Sequence, residues 1–206
     1  MRSAALSLAF VSTVALAGCG GTSSEMPCVT MADLNSGIAI VDAGKNNDIV
    51  TLRKRIAPDV ILSGKYFSPM EDGPSLIARS QAGFFETAHT NFEITGITTY
   101  EPDVVTLLPL RDGMQYTSVY DGAVRSRTAT TLEIVDADAR VSVGGCEYDA
   151  IKVTLVEETT AQDGRVFPGT YDRMYLPELM YTALDHDTEG LTVRRLTDAD
   201  PSFEDF

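Results

Sequence analysis

The segment YDAIKVTLVE, residues 148–157, puts Ile151, Val153 and Leu155 on one side of an extended chain and Lys152 and Thr154 on the other. A period of two marks a strand with one dry face and one wet face. Antiparallel sheets tolerate a solvated face and parallel sheets rarely do, so this stretch predicts an antiparallel sheet. Working outward, runs rich in Thr, Val, Ile and Tyr predict strands over 37–42, 48–53, 59–63, 75–80, 91–100, 104–108, 114–120, 123–135, 140–143, 147–157, 170–176 and 191–196. Turn residues separate many of them, among them Asp72-Gly73, Asp112-Gly113, Asp163-Gly164 and Glu189-Gly190. The run MQYTSVY at 114–120, then Asp121-Gly122, then AVRSRTA at 123–129 reads as a hairpin. Helical stripes are short, at 76–85 and 178–182. The expected fold is mainly β: a curved antiparallel sheet forming a partly open barrel or β-sandwich, with few short helices.

The opening MRSAALSLAFVSTVALAGCG carries one charge, Arg2, followed by an apolar and small-residue run too short to span a bilayer comfortably. Its end, Leu16-Ala17-Gly18-Cys19, resembles the lipobox of bacterial lipoproteins. That resemblance implies cleavage after residue 18 and acylation of the Cys19 sulfur and of the freed amino group. Two or more chains hold a protein firmly on a membrane where one does not. Residue 20 is Gly rather than Asp, which resembles the pattern sent to the outer membrane. The expected organisation is a signal peptide at 1–18, a lipidated terminus and short tether at 19–27, a β-rich domain at 28–196 and an acidic flexible tail at 197–206.

Sixteen basic against 30 acidic residues give a net charge of -14, and loss of Arg2 with the signal makes the mature chain -15. Such a surface repels phosphate backbones, so nucleic acid is not an expected partner. Of the three cysteines, lipid consumes Cys19 and leaves Cys28 and Cys146, an even number in an oxidising compartment. One disulfide between them is expected, and two buried thiols are the alternative.

Motifs that carry chemistry are sparse. There is no GxSxG elbow, HExxH pair, Walker loop or GxGxxG turn. His186 lies between Asp185 and Asp187 and reads as an exposed turn, since neighbours on a strand point to opposite faces. His89 reads as a loop residue. The turn at 42–48 offers oxygen ligands but lacks the spacing and closing Glu of a calcium loop. No catalytic, metal or cofactor residue is assigned. The site chosen instead is a strand face, where Tyr171, Arg173 and Tyr175 alternate onto one side and form a candidate binding face.

Cysteine, an aromatic, an alternating strand, a loop and then Tyr175, Pro177 and Leu179 make residues 143–196 similar to periplasmic β-rich proteins of the DUF3108 and TapB-like type, with Glu178 and Met180 where glycine is usual. That resemblance implies a curved antiparallel sheet or partly open barrel in the envelope. The expected function is a noncatalytic envelope lipoprotein binding an apolar ligand or a protein partner through a curved sheet. An envelope-polymer hydrolase using acidic residues and a purely structural surface lipoprotein are the alternatives.

Overall fold

The computed structural model describes residues 27–43, 48–67, 74–91, 94–184, 188, 190–198, 200, 201 and 203. Cys19, His186 with its flanking aspartates, and most of the turn at 42–48 lie outside them. Twelve antiparallel strands form one sheet: β1 (Ile38–Ala43), β2 (Asp48–Ala57), β3 (Val60–Phe67), β4 (Leu76–Gln81), β5 (Phe85–Asn91), β6 (Thr95–Glu101), β7 (Met114–Asp121), β8 (Ser126–Val143), β9 (Cys146–Ala161), β10 (Val166–Leu176), β11 (Tyr181–Leu184) and β12 (Leu191–Arg195). Their order is β11-β10-β9-β8-β7-β6-β5-β4-β3-β2-β1-β12, so β1 to β11 form a meander and β12 returns to pair with β1. The sheet is not closed into a barrel. Three 3-10 turns, Asp33–Asn35, Val104–Leu107 and Pro177–Leu179, are its helical content among the described residues.

Several elements differ from expectation, and the helical stripe expected at 76–85 is β4 with the turn into β5. The stretch 104–108 is a 3-10 turn, because the Asp103 carboxylate accepts from the Val105 amide and caps it. The polar β5, FETAHTN, is a strand with little propensity of its own, held between β4 and β6. The short helix expected at 178–182 is the Pro177–Leu179 turn running directly into β11.

The long β8–β9 hairpin shows how the sheet is rolled. Leu132 and Ile134 pair with Leu155 and Val153 and pack with Phe85, Leu107, Met114 and Tyr116. Further along, Val141 pairs with Tyr148 and Ala139 with Ala150, and these join a second core with Ile38, Ile40, Ile61 and Leu191. Ala150 and Ile151 are neighbours and point to opposite faces, so the hairpin gives one face to each core. Register shifts at 134/136 and 136/139 lie where the buried face changes, as bulges that bend a strand should. On β10, Met174 and Leu176 enter the second core while Tyr175 between them packs on Phe84 of the first, with ring centroids 5.5 Å apart. This end of β10 is therefore buried on both faces, with β1 and β3 wrapped outside it.

Arg53 sits at the seam. It is 5% exposed, its guanidinium lies 5.2 Å from the Tyr181 ring centroid, and its Nη2 donates to the Met180 carbonyl. Burial pulls it down to about 10, which leaves it charged at neutral pH. The tip of the β4–β5 hairpin closes over the same place. Gly83 has φ +70°, and a Cβ there would stand 1.5 Å from the Met180 oxygen, so only glycine fits. Tyr175 donates from its hydroxyl to the Ala82 carbonyl at 2.9 Å, and Thr182 to that of Gly83 at 3.1 Å.

The expected flexible tail is partly docked. Arg194 grips Asp200 with two bonds of 2.6 and 2.5 Å, and Phe203 packs against the cluster of Ala39, Val50, Leu52 and Tyr66. Those bonds hold the Asp200 carboxyl well below the usual carboxylate range.

Candidate functional site

The start of the described chain is fastened at one end of the β8–β9 hairpin. Cys28 and Cys146 are joined by a disulfide, with their Cα atoms 5.7 Å apart, as expected from the cysteine count. Arg195 donates to the carbonyls of Pro27 and Cys28 at 3.0 and 3.3 Å and pairs with Asp33 at 2.7 Å. The hydrogen bond from Arg195 comes first among the influences that lower the Asp33 carboxyl. Tyr148 adds a hydroxyl bond to the Val29 carbonyl at 3.0 Å. Three side chains, Cys146, Arg195 and Tyr148, thus clamp residues 27–29 beside the turn between β8 and β9.

At the opposite end of the hairpin the sheet is open. The candidate face of Tyr171, Arg173 and Tyr175 is a real alternation on β10, but the three residues do different things. Tyr175 is 7% exposed and belongs to the core, because this end of β10 is covered on both sides. Tyr171 is 42% exposed, and the Arg173 guanidinium lies 5.2 Å from its ring centroid. By register, Glu157 stands on the same face, opposite Gly169 on one side and Thr130 on the other. Half-buried, it has its carboxyl raised by desolvation, with Arg173 pulling the other way. Tyr116, pushed up to about 12 by burial and bonded to Thr130, and Tyr100, also raised by burial, complete the row. Glu157, Tyr116 and Thr130 escaped notice in the sequence because nothing in a Thr-rich strand says which of its residues share a face with another strand's aromatics.

The other side of the same strands carries a groove of about 560 Å³. Glu101, Gln115, Thr117, Thr131 and Glu158 line it together with Ala129, Val156 and Pro168, and Tyr116, Thr130 and Glu157 also border it. It is shallow and half polar, unlike the mostly apolar concavities that hold small ligands. A more enclosed space of about 80 Å³ lies between Ile40, Thr51, Lys65, Tyr181 and Leu191, far below the roughly 300 Å³ at which ligand cavities begin.

His89 is on β5 rather than in a loop. Its Nδ1 is 2.6 Å from the Glu86 carboxylate and its Nε2 3.3 Å from the Tyr120 hydroxyl, with the two rings stacked. The carboxylate orients the imidazole. The three groups form a hydrogen-bonded chain from β5 to β7. No group of three metal-ligating side chains converges among the described residues.

No protein-family model matches the sequence, so the resemblance of residues 143–196 to DUF3108 and TapB-like proteins finds no family behind it. No curated protein matches. A solved structure, that of the hypothetical lipoprotein YmcC from Escherichia coli, is similar in part, with a TM-score of 0.46 and 10% identity over 71% of this chain and 75% of that one. A likeness of that size leaves function to be argued from the chain's own residues.

Proposed function

We propose that this chain is a noncatalytic lipoprotein of the bacterial envelope, held by an acylated Cys19, that binds a protein partner through the open part of its sheet. The observation that carries the reading is the clamp on residues 27–29. A tether beginning at Cys19 would run straight into a disulfide, an Arg195 grip and the Tyr148 bond, all at one end of the β8–β9 hairpin. Fifteen residue steps along β9 span roughly 50 Å, so the far end of the hairpin would be held away from the bilayer. That far end exposes Val156 and Val166 on one face and Phe167 and Tyr171 on the other, apolar and aromatic groups beside the strand edge that a partner could cover. The half-polar groove favours a polypeptide over an apolar ligand, which would need a deep apolar cavity.

Two measurements test the reading. The mature chain is expected to begin at Cys19 with the added mass of its acyl chains and to enter the detergent phase, whereas Cys19→Ser leaves it uncleaved at that site and unacylated. A mature terminus elsewhere, or an unmodified thiol at residue 19, contradicts the anchor. Backbone hydrogen exchange of the full mature chain is expected to slow somewhere on the open part of β7–β10 in the native envelope relative to detergent micelles. Identical exchange in the two contradicts partner binding.

A further inference from the structure

The unfinished side of β10 specifies what kind of partner fits. The described part of β11 pairs only with Arg173–Leu176 of β10, ending opposite Arg173. Among the described residues, positions 166–170 therefore have a strand on one side only. The register says which backbone groups face outward. The Ala161 amide donates to the Arg165 carbonyl at 2.8 Å, making 161 and 165 a hydrogen-bonded pair in line with the β9–β10 register. In an antiparallel ladder such pairs alternate, so Phe167 and Gly169 bond inward to β9. The amides of Val166 and Thr170 and the carbonyls of Val166, Pro168 and Thr170 point to the free side. Such an edge is a template for an added strand.

Charge selects the occupant. Behind the edge, on β9, two carboxylates lie directly opposite its two positions without a long side chain: Glu158 opposite Pro168 on one face, and Glu157 opposite Gly169 on the other. Glu158 is exposed and makes no ion pair among the described residues. A Lys or Arg on an added strand would reach over Pro168 to Glu158. On the other face the Tyr171 ring lies over Gly169, where a Cβ would meet it at 2.7 Å, and Arg173 already stands 5.2 Å from its centroid, so Glu158 is the carboxylate open to an incoming cation. A second copy of this chain fits worse. It would set one strongly acidic chain, -14 before loss of Arg2, against another, and each copy would present a Pro168 with no amide to donate.

We infer that residues 166–170 of β10 receive an extended, cationic segment of another polypeptide as an added antiparallel or parallel strand. This rests on the partner-binding reading above and names the partner's chemistry. The probe is a labelled peptide of alternating Lys and Val, titrated into the full mature chain in detergent at low salt, with a Glu/Val peptide as its counterpart. Anisotropy reads binding, and hydrogen exchange reads where. The Lys/Val peptide is expected to bind and to slow exchange at the Val166 and Thr170 amides. Glu158→Lys should weaken it about tenfold, equivalent to about 1.4 kcal/mol, and Thr170→Pro should abolish the slowed exchange at 166. Because Thr170→Pro removes a backbone donor and tests folding as well, Glu158→Gln serves as the second variant, expected to weaken binding with an unchanged melting temperature.

Absent binding, equal binding of the Glu/Val peptide, or binding that leaves 166 and 170 unprotected overturns the inference. So does slowing at those amides that rises with the concentration of the chain alone, which would make the occupant a second copy. If the native envelope slows exchange elsewhere on the sheet while the peptide leaves this edge untouched, partner binding stands and the edge assignment falls.

Discussion

Arg53 concentrates the residue-scale energetics. In the sequence IVTLRKR it reads as one of a wet row of cations, and nothing local distinguishes it from Lys54 or Arg55. The fold buries it without a carboxylate among the described residues, with Nη2 on the Met180 carbonyl, the guanidinium against the face of Tyr181 and a buried Nε that has no hydrogen-bond partner there. Arg53→Ala leaves that carbonyl without a donor and opens a cavity at the seam between the two layers, and it is expected to cost about 2–4 kcal/mol in chemical denaturation. A loss below 0.5 kcal/mol, the size of an ordinary surface substitution, would show that the seam does not depend on this residue. Tyr175 makes the complementary point. Its alternation with Tyr171 and Arg173 was legible, but its burial was not, because a period of two shows which residues share a face and not whether something covers that face.

Elements with strong patterns are legible: the amphipathic β9 and the returning β12 stand where alternation and turn residues put them, and the hairpin from 114 onward is present, but with Tyr120 opposite Ser126, so that its second strand begins at 126 rather than directly after Asp121-Gly122. Those that depend on neighbours are not. β5 owes its extension to pairing on both sides, and β8 was read as two strands because its bulges at 134–139 break the alternation that the pairing with β9 carries through. The Cys28–Cys146 link is legible by counting, and its structural meaning appears at this scale, since it ties the segment before β1 to the β8–β9 turn across a separation of 118 residues. Closing so long a loop is worth about 4–5 kcal/mol on the chain-entropy account. The double variant Cys28→Ser with Cys146→Ser is expected to lose that much in denaturant and to show faster exchange at residues 27–30. Unchanged stability would mean that Arg195 and Tyr148 hold the segment by themselves.

For the whole molecule, the distribution of buried phenols sets the response to alkali. Burial raises Tyr116 and Tyr175 to about 12 and also raises Tyr100, Tyr148 and Tyr181 above their ordinary 10.0. A group whose folded value is raised contributes stability that is complete below its unfolded value and is lost as pH climbs toward the folded one. The melting temperature is therefore expected to hold up to about pH 10 and fall between pH 10 and 12. Arg53, lowered to about 10, acts in the opposite sense over that window, but it is one group against five. A melting temperature that rises steadily over the window would contradict the burial of these rings.

The rolled sheet separates a fastened end from an open one, and that separation is the centre of the account. It is tested most directly by placing a fluorophore at Gly145, beside the disulfide, or at Gln162, at the far tip of β9, in the lipidated chain on vesicles that carry a headgroup quencher. Strong quenching is expected at 145 and weak quenching at 162. Equal quenching at the two positions, or the reverse order, would contradict it.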